Sequence, residues 1–307
     1  MNRIALSGAM FGDDILTHLQ IAGETGYSGV ELRGMGPLLH GEADEPFLAR
    51  IDAELARRSL QAVTLSTWLG CFALRADDRE REAELVRCER FFALAARWRC
   101  GYVRVNPARL PPAEAADSQW VLDAQWLARA ADLAKAHGVG IFLEMHHGTL
   151  CDTREHSLRL LDLIARDNAG LVFDPYNLYQ VPTDYGTATI AALAPHIVNV
   201  HVKDLVALLG NSYPHAFEYE DFVPHAGRFI PVQAARAPRS KRYFANRLIN
   251  QGGIDWHHVV EALRKVGYTG YFTVEATSGK DPNMLDGREL AAHSHQQVAR
   301  LLEAAGY

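Results

Sequence analysis

Short apolar runs alternate with longer helical stretches over the whole chain, and this order limits what the chain can become. The predicted strands are Ile4–Leu6, Gly29–Arg33, Ala62–Thr67, Tyr102–Asn106, Gly140–Glu144, Gly170–Asp174, Ile197–Lys203 and Gly270–Glu275. The predicted helices are Asp14–Gly23, Glu45–Arg58, Arg79–Arg97, Ser118–Ala136, Arg154–Ala165, Ala188–Ala194, His257–Val266 and Arg288–Ala305. Apolar residues recur in the helices at three- and four-residue spacing, as at Phe91, Leu94 and Ala95, or Leu122, Trp126, Leu127 and Ala130. Parallel strands joined by right-handed helical crossovers satisfy such an order. Eight units of this kind close into a barrel. An open doubly wound sheet usually carries a glycine-rich phosphate turn after its first strand. Here that strand runs into SGAMFGDD, which has no GxGxxG spacing. The expected fold class is α/β, a single (β/α)8 TIM-barrel domain over residues 1–307.

One connection breaks the rhythm. Between HVKD at 201–204 and IDW at 254–256 lie about fifty residues, where a few are usual. This insertion after strand seven, residues 205–253, is aromatic early (Tyr213, Phe217, Tyr219, Phe222) and basic later (Arg236, Arg239, Lys241, Arg242, Arg247). It reads as a lid, or as an interface with a second copy or a small partner subunit; a solvent loop is the bland alternative.

Composition narrows the partners. At 307 residues and 48% hydrophobic, the chain can bury a core without disulfides. Its four cysteines, Cys71, Cys88, Cys100 and Cys151, are scattered and read as free thiols in a reducing, cytoplasmic setting. The N-terminal apolar stretch is too short for a signal peptide, and no run approaches the ~20 residues of a membrane span. A formal net charge of −6 argues against a dedicated nucleic-acid binder. A small molecule is the expected partner.

In a TIM barrel the site lies where strands end at their C-termini. The fifth strand ends LEMHH, the sixth VFDPYN, the seventh NVHVKD and the eighth FTVEAT. Four successive strands thus offer Glu144, Asp174, His201 and Glu275. Each taken alone has an ordinary reading: a helix cap, a turn residue before proline, a satisfied core histidine. Taken together, three carboxylates crowded at one rim repel and lose hydration unless something positive sits among them. One divalent cation resolves this. Oxygen-rich ligation with a single nitrogen suits Mn²⁺ first, then Mg²⁺ or Co²⁺, with Zn²⁺ also open.

With these residues the sequence resembles the sugar phosphate isomerase/epimerase superfamily, the xylose-isomerase-like barrels. The pattern of Glu144, Asp174 in DPYN, His201 in HVKD and Glu275 after GYTGYFTVE is similar to that family's four-ligand metal site. GGIDWHHVVEALRKVGYTG is similar to its last βα unit. The resemblance implies a metal-dependent sugar isomerase or epimerase, or a lyase such as a dehydratase or a C-glycoside deglycosidase catalytic subunit. That deglycosidase subunit works on 3-keto sugars beside a small second subunit. Ketose 3-epimerases carry a histidine where this chain has Asn177 and an arginine where it has Ala207, so their substrate grip is not reproduced. The family's endonuclease branch needs further histidines at early strand ends, which here read VELRG and TLSTW. HVKD is closer to the dehydratase and uncharacterised isomerase branches, and HHGT is similar to the dehydratases.

A cation so held polarises a hydroxy-ketone and stabilises the enediolate left when the neighbouring C–H loses its proton. Return of the proton gives an epimer or isomer, and loss of a β-substituent gives elimination. Glu144 and Glu275 are candidate proton-transfer groups. His146 is the rival base, on the same strand face as Glu144. Lys203, Glu31, Arg33, Trp68 and Asn177 are candidate substrate contacts, each with a plain alternative as a rim ion pair or packing residue. Asn106 is a weaker one. A non-catalytic binding or assembly subunit is the second class of reading, and the intact four-residue set speaks against it.

Overall fold

The computed structural model describes residues 3–12, 14–34, 36–40, 43–181, 183–208, 217–219, 222–225, 228–231, 242–276, 285 and 287–307. Eight parallel strands form the barrel: β1 Ile4–Ser7, β2 Gly29–Arg33, β3 Gln61–Ser66, β4 Tyr102–Arg104, β5 Gly140–Glu144, β6 Ala169–Phe173, β7 Ile197–Val202 and β8 Tyr271–Val274. They pair in sequence order, and β1 closes the ring against β8. The main helices are α1 Ile15–Glu24, α2 Glu45–Arg57, α3 Asp78–Arg97, α4 Asp117–Ala136, α5 Arg154–Ile164, α6 Thr187–Leu193, α7 Trp256–Lys265 and α8 Gly287–Ala305. The expected single-domain TIM barrel is therefore what the chain forms.

Local chemistry explains the boundaries. Asp14, Asp44, Thr153 and Asp255 each cap a helix by accepting from a backbone N–H of its first turn. Asp77 and Glu80 form a reciprocal capping box on α3. Several strands stop a residue or two before the sequence pattern does, at Ser66, Arg104, Phe173, Val202 and Val274. Beyond these points the chain leaves its neighbours to form the rim. The aliphatic and aromatic core lies between barrel and helices, with Trp120, Trp256, Phe91, Phe92 and Phe272 fully buried. Inside the barrel the upper layer is polar instead. Ser7, Glu31 and Thr64 lie in register on adjacent strands, and both hydroxyls donate to the Glu31 carboxylate, at 3.0 and 2.8 Å.

The long connection after β7 begins and ends in ordered strands. Asp204–Leu208 pairs antiparallel with Arg242–Arg247, which also pairs with Phe217–Tyr219; Phe222–His225 forms a hairpin with Arg228–Pro231. Asp204 ties exit to re-entry by accepting from Leu205 N at 2.9 Å and Gly252 N at 3.0 Å. Of the residues picked out in this insertion, Tyr213, Arg236, Arg239 and Lys241 lie outside the described residues.

Candidate active site

The barrel geometry brings the four strand-end residues together. One ligand-type atom from each of Glu144, Asp174, His201 and Glu275 lies within 4.8 Å of the others. His201 is the hub. Its Nδ1 sits 3.4 Å from Glu144 Oε1, 3.5 Å from Asp174 Oδ2 and 3.2 Å from Glu275 Oε2. Its Nε2 is 3.1 Å from Glu31 Oε2, where neither side chain is more than 1% exposed. That second contact fixes the ring and points Nδ1 at the carboxylates. Nδ1 itself is buried and makes no hydrogen bond among the described residues. Burial alone would lower the His201 pKa, but Glu31 and Glu275, aided by Asp174 and Glu144, hold it well above the ordinary value. An oxygen-rich set closing on an orphaned imidazole nitrogen fits a divalent cation.

Asp174 combines two roles that the sequence could only offer as alternatives. Its Oδ1 accepts from Asn177 N at 3.0 Å and caps the short helix Pro175–Gln180, with Pro175 in the first turn. Its Oδ2 remains for the cluster. Lys203 reaches in from just past β7, with Nζ 2.6 Å from Glu275 Oε2, 2.9 Å from Asp174 Oδ2 and 4.9 Å from the Tyr176 ring centroid. Burial would lower the Lys203 pKa, yet Asp174, Glu275 and Glu144 raise it well above its usual value. Burial likewise pushes the Glu144 carboxyl up. Arg104, His201 and Lys203 overcome this and hold it well below the carboxylate range.

Arg104 is a member of this cluster that strand-end reading missed. It is buried, its Nη1 lies 2.5 Å from Glu144 Oε2, and its Nε donates to Thr67 O at 3.0 Å. Its guanidinium carbon stands 5.1 Å from the Trp68 ring centroid. A signal existed: in YVRVN the valines at 103 and 105 flank a charge, so alternation puts Arg104 on the face opposite to theirs.

A cavity of about 100 Å³ opens over the cluster. Arg33, Trp68, Arg104, Glu144, His146, Lys203 and Glu275 are among its walls. Trp68 stays 41% exposed on a loop held against the β4 exit, where Asn106 Nδ2 donates to Thr67 O and Leu69 O. Gly70 permits that approach, since a Cβ there would meet Asn106 O at 2.1 Å. Asn106 is thereby committed to the loop. Glu31 and Asn177, expected as substrate contacts, are not among the cavity's walls. Glu31 backs His201. Asn177 Nδ2 donates to Asp174 Oδ2 at 2.8 Å, Met145 O at 3.0 Å and Glu144 Oε1 at 3.3 Å.

His146 differs from its neighbour. Its ring borders the cavity, and its Nδ1 lies 2.8 Å from the His147 carbonyl. A carbonyl only accepts, so Nδ1 carries the proton and Nε2 the lone pair. Burial is the main reason its pKa falls below 6.5, which keeps the ring neutral at pH 7. His147 is buried beside it, its ring tilted 45° to that of His146 with 3.8 Å between centroids.

The fold agrees with a sequence comparison: the family described as the xylose isomerase-like TIM barrel matches residues 19–301. The chain belongs to this family. Among curated members, a rhizopine catabolism protein, MocC, of Rhizobium meliloti is 27% identical over 190 residues, 62% of this chain and 52% of that protein. Inosose dehydratase of Geobacillus thermodenitrificans is 28% identical over 182 residues, 59% of this chain and 54% of its own. The chain thus matches about half the length of these curated relatives. The solved structure of an IolI protein with a bound zinc atom superposes with a TM-score of 0.74 at 16% identity, covering 99% of each chain, a likeness of fold. Among the described residues no helix of this xylose isomerase-like barrel is long and apolar enough to cross a membrane.

Proposed function

We propose that this chain is a divalent-metal-dependent enzyme that moves a proton next to the carbonyl of a sugar-like hydroxy-ketone, with isomerase or epimerase outcome. The observation that carries the reading is His201 Nδ1, buried, without a hydrogen bond, and facing one oxygen from each of three carboxylates. Glu144, Asp174, His201 and Glu275 would hold the metal, with Mn²⁺ the first candidate by donor type. Zinc in the IolI neighbour supports a divalent ion in this fold. When bound, the ion supplies a positive centre that polarises a carbonyl and offsets the charge of an enediolate.

The chain's own residues supply the rest. Glu31 holds the His201 ring, and Asn177 holds Glu144 and Asp174 in mutual orientation. His146 is the base. The oxygens of Glu144 already face Arg104, Asn177 and His201, and Glu275 Oε2 faces Lys203 and His201. Among the described residues Nε2 of His146 has no such commitment, on a ring that borders the cavity. A positioned imidazole of this kind contributes roughly 10²–10⁴ in rate. Arg33, Trp68 and Lys203 line the space where substrate would lie.

A lyase outcome is the second reading. The match to inosose dehydratase favours it, as does Asn177 being turned to the carboxylates rather than to the cavity. The insertion 205–253 is assigned to covering the mouth or meeting a partner. Metal analysis of the purified protein, followed by incubation of a keto sugar in D₂O, tests the proposal. One bound divalent ion and deuterium at the carbon beside the carbonyl are expected, and both should be lost on chelation. Protein that takes up no Mn²⁺ and exchanges no proton would refute it. A new enone absorbance would assign elimination.

A further inference from the structure

Three cations line the mouth cavity, namely Arg33, Arg104 and Lys203. Two are matched: Arg104 by Glu144, and Lys203 by Glu275 and Asp174. The remaining carboxylate beneath the cavity, Glu31, is engaged by Ser7, Thr64 and His201. Arg33 is surplus. Among the described residues no carboxylate pairs with it, and its guanidinium donates no hydrogen bond. It is the last residue of β2, two beyond Glu31 and hence on the same inward face. Ser66 is its register partner on β3, and Ser66, Ser7 and Ala9 wall the cavity beside it. Gly8 gives the arginine stem its place, because a Cβ there would meet Arg33 Cβ at 3.2 Å. One wall is thus an unmatched guanidinium framed by small side chains.

We infer that Arg33 determines specificity by reading a carboxylate on the substrate, so that the preferred substrate is a polyhydroxy keto acid rather than a neutral sugar. The inference rests on the proposed reading of this cavity as the active site. A substrate seated here strips water from the guanidinium, and a charge left dry and unpaired is costly. A hydroxyl satisfies one or two of its five donors, whereas a carboxylate meets the planar fork with two parallel bonds. A carboxylate also suits the site better than a phosphate. Among the described residues that line the cavity, none lies in the first turn of an α-helix, where backbone N–H groups would cradle a phosphate.

The test is calorimetric binding of D-gluconate against D-glucitol, which differ only in a carboxylate for a hydroxymethyl group, with and without Mn²⁺. The native protein should favour gluconate by roughly ten- to a hundredfold. Arg33→Gln should bring the ratio near one while Mn²⁺ uptake and melting temperature stay unchanged, and Arg33→Lys should restore part of it. Because a carboxylate also favours a bound cation, only the preference that Arg33→Gln removes counts. Equal binding of the two compounds, a preference that survives Arg33→Gln, or binding of neither in either state overturns the inference. Inorganic phosphate displacing gluconate at equal concentration overturns the carboxylate assignment. Failure of Mn²⁺ uptake with an Arg33-dependent preference intact supports this inference and refutes the metal-dependent one.

Discussion

Strands β5–β8 deliver Glu144, Asp174, His201 and Glu275 to the barrel mouth, whereas β1–β4 end in Ser7, Arg33, Ser66 and Arg104. One half is a nest of acids around an imidazole. The other half carries guanidinium groups, small hydroxyls and, just beyond β3, an exposed tryptophan. Besides the backbone ladders, two ion pairs among the described residues bridge the halves: Glu31 of β2 to His201 of β7, and Arg104 of β4 to Glu144 of β5. The difference teaches that crowded like charge announces itself, while a wall built from ordinary residues does not. The acidic half would hold a cation, and the other half would choose what lies beside it.

The strongest way to break this division is to remove a member of the acidic nest. Asp174→Asn keeps an acceptor for the helix cap but withdraws a carboxylate. It should lower Mn²⁺ affinity by more than the ~100-fold expected of outer contacts, read by calorimetry. An unchanged affinity would end the metal assignment. His146→Ala should leave Mn²⁺ uptake intact and slow deuterium exchange by roughly 10²–10⁴. Full exchange in this variant would return the base role to Glu144 or Glu275.

Smaller effects sharpen the seam. Glu31→Gln replaces the charge behind His201 and should weaken Mn²⁺ binding by roughly 10–100-fold, with little change in the gluconate-to-glucitol ratio. A larger change in that ratio than in metal affinity would place Glu31 on the substrate side after all. Asp123 offers a control away from the mouth. It is buried on α4, accepts from Ala108 N at 3.1 Å, and has no cation partner among the described residues, so burial raises its pKa to about 7. Its folded-state value lies above its unfolded value, so the folded state binds the extra proton. Its contribution is fully present below about pH 4 and fades as pH climbs through about 7. Urea unfolding should show stability falling on the order of 2–3 kcal/mol from this group between about pH 5 and about pH 8. Asp123→Asn should remove that slope. Glu144, held low by its cations, has the opposite sign: its contribution is present above the ordinary carboxylate range and fades as pH falls. A slope unaffected by Asp123→Asn would show that the two kinds of buried acid are not distinct.

Much of the architecture was legible because it is local. Strand and helix alternation follows from hydrophobic period, and helix starts from Asp or Thr caps, so most elements lie within a residue or two of expectation. Glu144, Asp174, His201 and Glu275 were legible because each interrupts an apolar run. The contacts of Glu31 and Asn177 were not. Both were read as facing substrate, yet Glu31 lies behind the histidine and Asn177 behind the acids. Arg104 was passed over although its alternation with Val103 and Val105 pointed inward.

The sequence by itself determined the order of elements, the caps, and which residues could carry charge at the rim, since these depend on neighbours a few positions apart. Only the tertiary structure decided which polar side chain faces the cavity and which supports another. Those choices rest on strand register around a closed ring, where Glu31 meets His201 across 170 positions and Arg104 meets Glu144 across 40. A one-residue slip in register turns a side chain to the other face of its strand, and closure of the barrel fixes that register for all eight strands at once.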